Sequence, residues 1–358
     1  MNPVQFFDAV IFGGGLFGSY AALYLKSRGR RVAIVEKEDR LFGKASIVNQ
    51  ARLHNGCHYP RSIATACQAY EHRSRFIAEH RAFVKFDFAK YYAIDRYNSL
   101  TDAAQFERFC SAVGIGLTEV SEIPGICFDR LERVYETVEQ SFDPFLIAEY
   151  YKRRLKEANI PVYLDCDLQE AEESTSWSMR LHNRRDGETY LIKAPTVVNA
   201  TYAGINGVNT AFGITPIDVQ HEVAEIVLTD CPALAHIGFT VMDGPFCSIM
   251  PYGLSGLLSL SSVVYTHHAV LRDADPRAAT YASNRDKMLA QLRQYICADI
   301  VLTPQLSLFT VKTKLKASHI DDSRPTLIRL LREKPAFFCL FGGKINSIYE
   351  IERELENV

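Results

Sequence analysis

The sequence predicts an α/β fold: a doubly wound parallel sheet joined to a second domain built on a mixed β-sheet. Three observations carry this expectation. Residues 8–36 read as strand, glycine turn, helix, strand and acid, one complete βαβ unit. Short apolar strands return at 196–200 and 337–341. Residues 217–265 are strand-like almost throughout, with turns at Asp243-Gly244-Pro245 and Tyr252-Gly253. The 358 residues are about twice the ~150-residue prior for one domain. Because the sheet pieces lie at the start, middle and end, the domains are expected to interleave: 1–82, 140–215 and 320–358 in one, 83–139 and 216–319 in the other.

The elements follow in order. Asp8 to Phe12 is a short buried strand, and Gly13-Gly14-Gly15 a tight turn. Leu16 to Ser27 has helical spacing (Leu16, Phe17, Tyr20, Leu23, Tyr24, Leu25) and closes at Gly29. Arg31 to Glu36 is a β-branched strand ending in an acid. Residues 43–61 are irregular, and a long helix is expected over about 62–81. Phe83 to Ala93 reads as strand, and 101–112 as helix with Thr101 as N-cap. Asp143-Pro144 opens a helix to about Ala158, with proline at its favoured first position. Pro161 to Asp165 is strand, and 175–193 a hairpin around Asp186-Gly187. The longest helix is expected over 275–297, with strands and loops over 306–340. Phe337 to Phe341, a turn at Gly342-Gly343 and a helix from Ile345 to Leu355 finish the chain.

Composition bounds the function. Lys plus Arg is 40 against 42 for Asp plus Glu, a balance that argues against a nucleic-acid binder. Apolar residues at 47% exclude a disordered chain and allow a sizeable core. No apolar run reaches the ~18 residues needed to span a bilayer, and a secretory leader is not expected. The nine cysteines, odd in number and without a Cys-x-x-Cys pair, read as free thiols of a reducing cytoplasm.

Gly13-x-Gly15-x-x-Gly18 is the strongest motif, because it lies between a strand and a helix and Glu36 ends the next strand. Gly13 permits the tight turn, Gly15 lets the backbone approach a pyrophosphate, and Gly18 lets the helix pack close to the sheet. The helix start offers free N–H groups and positive dipole to the phosphates. Glu36 is placed to accept from adenosine ribose hydroxyls. With one such motif, one dinucleotide is expected. The near-terminal position leans to FAD over NAD.

A family resemblance comes next. Ala45-Ser46-Ile47-Val48-Asn49-Gln50-Ala51-Arg52-Leu53-His54-Asn55-Gly56 resembles the flavin-contacting segment of the FAD-dependent D-amino-acid oxidase superfamily. Leu53 to Ser62 is most similar to the Ile-His-Ala-Gly run of the hydroxyglutarate oxidase branch. Val197 to Gly204 resembles the second FAD segment, and Asp243 to Phe246 with Met250 to Gly253 the substrate-domain sheet. Ser323-Arg324-Pro325-Thr326 and Phe341-Gly342-Gly343-Lys344 fall where the family places a flavin-covering loop and its last FAD turn. One departure counts: the amino-acid oxidases carry Gly-His-x-x-Gly at that turn. The resemblance implies a glutathione-reductase-like FAD-binding domain, a mixed-sheet substrate domain over the flavin, and a site between them.

Motif and resemblance together assign cofactor contacts to Gly13, Gly15, Leu16, Phe17, Gly18, Glu36 and Lys37. A second group is Ala45, Ser46, Asn49, Gln50, Arg52, Leu53 and His54. A third is Ala200, Thr201, Gly204, Arg324, Gly342, Gly343, Lys344 and Ile345. The expected reaction is hydride transfer from a CH–OH or CH–NH carbon of a small, carboxylate- or phosphate-bearing substrate to flavin N5, with oxygen or another acceptor reoxidising it. Arg324 is the first candidate anchor for the anion and Arg61 the second. His54 is the candidate base, with His58 and Tyr59 behind it. Lys344 and Tyr252, with Tyr202, are candidates to shape the site. His54 and His58 imitate a metal pair but lie in a loop without further ligands, so no metal is expected. His267-His268 reads as an exposed pair, and Lys312, Lys314 and Lys316 as one wet strand face that would help hold an acidic substrate. A flavin monooxygenase would carry Gly-Asp where this chain has Gly-Gly-Lys. The remaining competitors are an NAD-dependent dehydrogenase and a flavin-binding module without turnover.

The purified protein is therefore expected to be yellow, with an absorption band at ~450 nm from bound flavin. A colourless protein that takes up no added FAD overturns this reading.

Overall fold

The computed structural model describes residues 3–271, 281–316 and 326–358. Its centre is a six-stranded sheet in the order Val162–Tyr163, Val32–Val35, Ala9–Phe12, Thr196–Asn199, Ala336–Phe341, Leu327–Glu333. The first five are parallel, and the last runs antiparallel at the edge. Strand alternation sends successive residues to opposite faces. Ala9 and Ile11 pack with Leu25, Leu155, Ile351 and Leu355 of the helices Leu16–Ser27, Pro144–Glu157 and Glu350–Leu355. Val10 and Phe12 pack with Trp177, Met179, Leu181 and Ile192 of a four-stranded sheet on the other face. Both faces are thus covered, which is why these strands are apolar throughout rather than alternating. This is the expected glutathione-reductase-like layout.

The second large element is a nine-stranded mixed sheet. Its order is His267–Leu271, Val219–Asp230, Leu258–Ser262, Cys247–Pro251, Ile237–Met242, Ala89–Asp95, Leu131–Thr137, Thr118–Val120, with Thr303–Leu315 also pairing on Val219–Asp230. Ile237–Met242 and Ala89–Asp95 are its parallel pair. A small sheet of Arg52–Leu53, Gln140–Phe142 and Val84–Lys85 lies between the two large sheets in the chain's path.

Several expectations change. The helix over 62–81 is broken into Ile63–Tyr70 and Arg73–Glu79, with His72 left-handed at φ 58°. The cause is distant in sequence. The Asn346 amide donates to Ala69 O (3.0 Å) and Glu71 O (2.6 Å), taking carbonyls that a continuing helix would use. The 101–112 helix spans Ala103–Ala112 and is capped by Asp102 in a capping box with Gln105, not by Thr101. Thr101 instead donates to Asp243 (3.0 Å). The strand over Phe83 to Ala93 divides into Val84–Lys85 and Ala89–Asp95, which join different sheets. The helix over 275–297 is not the longest: among the described residues 281–297 only the eight of Arg285–Leu292 are helical, against fourteen in Pro144–Glu157. The last helix begins as a 3₁₀ segment, Ile345–Tyr349, before Glu350–Leu355. Asp143 caps its helix as expected, accepting from the Phe145 and Leu146 N–H groups, both at 3.0 Å.

The glycine turn has the assigned mechanics at two positions. Gly13 has φ 102°, and a Cβ there would lie 2.5 Å from the Ala200 carbonyl. A Cβ on Gly18 would strike the Gly13 carbonyl, so a side chain there would push the helix off the turn. Gly18→Ala is expected to cost about 1–3 kcal/mol of stability, as overpacking against rigid backbone does. Urea unfolding measures it, and an unchanged midpoint contradicts the packing role.

Candidate active site

A cavity of about 1900 Å³ lies outside the carboxyl ends of the parallel strands, facing the mixed sheet. Small-molecule pockets usually hold about 300–1,000 Å³, so this one has room for a dinucleotide and a second molecule. Gly13, Gly15, Leu16 and Phe17 line it from the first turn, and Glu36 and Lys37 from the end of the next strand. Ala45, Ser46, Asn49, Gln50, Arg52 and His54 enter from the irregular loop. Ala200, Thr201 and Gly204 follow the fourth central strand, and Gly342, Gly343, Lys344 and Ile345 the fifth. Topology explains the convergence: parallel strands deliver all their following turns to one edge.

Three assigned residues lie elsewhere. Gly18 sits behind the turn, against the Gly13 carbonyl. Leu53 is fully buried with Phe76 and Phe142. Tyr252 is a core residue whose hydroxyl donates to Ile47 O (2.6 Å), bracing the loop from behind. Arg324 lies outside the described residues.

Glu36 does more than end a strand. Its Oε2 accepts from the Gly14 N–H (2.6 Å) and its Oε1 from the Glu38 N–H (2.9 Å), so the carboxylate fastens the glycine turn. Burial pushes its pKa up against those two N–H groups, and each oxygen keeps a lone pair for a ligand hydroxyl. The loop is wound on its own side chains. Ser46 Oγ accepts from the Leu16 N–H (3.0 Å), and Asn49 donates to Ser46 O (3.1 Å) while accepting from the Ala51 N–H (2.8 Å). Gln50 donates to Ser261 of the mixed sheet.

The chemistry concentrates around His54, whose side chain is 18% exposed. Its Nδ1 is 3.0 Å from Oε1 of Glu139, which is buried completely. Tyr92 donates its hydroxyl to the other carboxylate oxygen at 2.9 Å. Burial opposes charge on Glu139, but His54, Lys90 and Arg52 hold its carboxyl down at about 2. Burial also lowers the His54 pKa, against the pull of Glu139, which favours neutral imidazole. Lys90, 1% exposed, donates to Thr240 Oγ1 (2.5 Å) and has its basicity lowered by desolvation and by Arg52. Arg52 donates to Ser248, while its Nε and Nη1 are buried without a hydrogen-bond partner among the described residues. Two open donors on a buried cation lining a cavity are a ready site for a ligand oxygen.

Other candidates find partners. Arg61 is paired with Asp243 (Nε to Oδ2 2.6 Å) at the cavity wall. Lys344 is buried, donates to Thr65 O (3.3 Å) and lies 4.8 Å over the Tyr59 ring. His267 and His268 are not an exposed pair. His267 is 3.2 Å from Glu222 and lines the cavity, and His268 is 2.8 Å from Glu225. Lys314 pairs with the same Glu222 at 2.7 Å, while Lys316 pairs with Asp218 instead. The residue missed from the sequence is Glu139. Its partner His54 is 85 positions away, and Glu136-Thr137-Val138-Glu139 reads as an ordinary strand edge with nothing to single out the second acid.

A family model described as FAD dependent oxidoreductase matches residues 8–311. A FAD-dependent monooxygenase, FPY4 of Fusarium mangiferae, is 26% identical over 351 residues, covering 95% of this chain and 87% of its own. Glycine oxidase from Geobacillus kaustophilus superposes with a TM-score of 0.77 at 16% identity, over 98% of this chain and 95% of that one. L-alpha-glycerophosphate oxidase from Mycoplasma pneumoniae, solved with FAD bound, gives 0.77 at 13% identity, over 98% and 93%.

The open donors of Arg52 generate an expectation. Arg52→Met lowers the thermal midpoint of the flavin-free protein, since buried Glu139 loses one of the cations that hold it charged. FAD affinity, read by fluorescence titration, falls about tenfold or more, the ~1.4 kcal/mol of a lost hydrogen bond to a charged donor. A lowered midpoint with unchanged affinity makes Arg52 purely structural.

Proposed function

The chain belongs to the FAD dependent oxidoreductase family, an enzyme family with FAD as cofactor, and from that premise we propose that it oxidises a CH–OH or CH–NH carbon of a small anionic substrate. The residues present fit FAD: the glycine turn leaves a backbone cradle that a Cβ would fill, and Arg52, which lines the cavity, has two buried nitrogens without a hydrogen-bond partner among the described residues. In this reading FAD supplies the hydride acceptor when bound. Gly13, Gly15 and the start of helix Leu16–Ser27 hold its diphosphate, and Glu36 its ribose. The observation that carries the proposal is the ring of His54 at the cavity wall, with Nδ1 committed to Glu139. The opposite ring nitrogen is left to take the proton of a substrate hydroxyl or ammonium as hydride departs. Lys312, Lys314 and His221 on the mixed-sheet wall suit a carboxylate or phosphate, with Arg324 kept as a proposed further anchor. The domain division stated above belongs to the same proposal.

A second reading, monooxygenation, is favoured by the name that the Fusarium relative carries. The two differ in what reduces the flavin. Anaerobic mixing with 2-hydroxy acids, amino acids, sugar acids and NAD(P)H is followed at the ~450 nm flavin band. Bleaching by an acid of the panel is expected, and His54→Ala slows it by about 10²–10⁴-fold with FAD still bound, as loss of a general base does. Bleaching by NAD(P)H alone transfers the protein to the second reading. No bleaching by any of them removes turnover, and an unchanged rate in His54→Ala removes His54 from the chemistry.

A further inference from the structure

We propose that Glu139 is the positioning residue for His54, holding the imidazole in the tautomer with hydrogen on Nδ1 so that Nε2 faces the cavity as an acceptor. The inference rests on the reading of His54 as base and adds the group that makes that role possible. Each carboxylate oxygen of Glu139 has its own partner, Oε1 at His54 Nδ1 and Oε2 at the Tyr92 hydroxyl, so the carboxylate has no rotational freedom left.

The backbone is equally constrained. Arg52–Leu53 pairs antiparallel with Gln140–Phe142, in the register Arg52 to Ser141 and Leu53 to Gln140. His54 and Glu139 therefore leave the ends of two directly bonded strands side by side. The next residue on the first strand repeats the tie: the Asn55 amide donates to Val138 O (3.1 Å) and Thr137 Oγ1 (3.2 Å). His58 stacks on the His54 ring at 5.3 Å, and Tyr59 meets it edge-on at 5.5 Å.

An acceptor-only carboxylate on Nδ1 leaves one neutral tautomer, the one whose Nε2 carries a lone pair. A neutral histidine without it would divide between two tautomers, one of which presents N–H to the substrate and is no base. When the base takes its proton, the imidazolium is stabilised by the same carboxylate, the orienting-acid logic of hydrolytic triads applied to another reaction.

The test uses flavin-loaded protein and a set of single variants. In the wild type, ¹⁵N spectra of the His54 ring are expected to show Nδ1 protonated and Nε2 bare. In Glu139→Gln the two tautomers mix, because the amide is able to donate as well as accept. With whichever acid of the panel bleaches the flavin fastest, Glu139→Gln is expected to slow reduction about 10²-fold, within the range for loss of a correctly presented base, while KM and FAD affinity stay near wild type. Glu139→Asp, which keeps the charge at a longer reach, recovers part of the rate.

An unchanged tautomer in Glu139→Gln overturns the proposal, and this readout stands without any substrate. Equal slowing in Gln and Asp with the tautomer retained overturns it too, leaving Glu139 a structural residue. If Glu139→Gln does not fold, the wild-type spectrum and Glu139→Asp carry the test: hydrogen on Nδ1 with a partly slowed Asp variant supports the proposal, and hydrogen on Nε2 in the wild type overturns it. His54→Asn runs in parallel. An unchanged rate there fails the reading of His54 as base. A slowed His54→Asn beside a wild-type Glu139→Gln fails this proposal alone.

Discussion

Five consecutive buried residues, Glu139 to Asp143, hold the walls of the cavity to one another. Ser141 Oγ lies 2.8 Å from Ala51 O and 2.6 Å from Pro251 O, with its single hydrogen shared between them, and accepts from the Gly253 N–H at 3.0 Å. One hydroxyl thereby ties the flavin-side loop to the mixed sheet. Asp143 caps helix Pro144–Glu157 with one oxygen and accepts from the Leu254 N–H (3.0 Å) with the other, which anchors the parallel-sheet side to the same turn. Buried polar groups this well satisfied are rigid, because breaking one bond leaves an unpaired group with no water to replace it.

The same segment carries the buried charge of the site, and burial decides its behaviour. In water Glu139 would be an unremarkable carboxylate. Without solvent it survives as an anion only because His54, Lys90 and Arg52 surround it, and Tyr92 donates to it. Arg52 keeps Nε and Nη1 buried without a hydrogen-bond partner among the described residues. Such a cluster contributes little net stability; its physical value is preorganisation, since the dipoles and charges are already oriented before a ligand arrives.

Local features were legible where the chemistry is local. The turn at Gly13 to Gly18 follows from steric demands within six residues, and the strands on either side from apolar runs a sheet buried on both faces requires. The cap at Asp143 before Pro144 follows from backbone geometry alone. The enzyme family and FAD could be read from those pieces in their order. Features that depend on a distant partner were not legible. The break at His72 answers to Asn346, and Thr101 turns to Asp243 while Asp102 takes the cap.

What the sequence by itself determined is the dinucleotide-binding half, because a glycine turn, a helix start and an acid at a strand end act on a ligand through backbone positions that their own neighbours dictate. Only the tertiary structure decided the polar cluster around His54. His54 and Glu139 are 85 residues apart, and the pairing of Arg52–Leu53 with Gln140–Phe142 brings them within 3.0 Å. Lys314 and His267 likewise meet at Glu222 through strand pairing alone. A strand's own pattern says which face is buried, but its partner and register are set by long-range packing, and it is register that places one charge beside another.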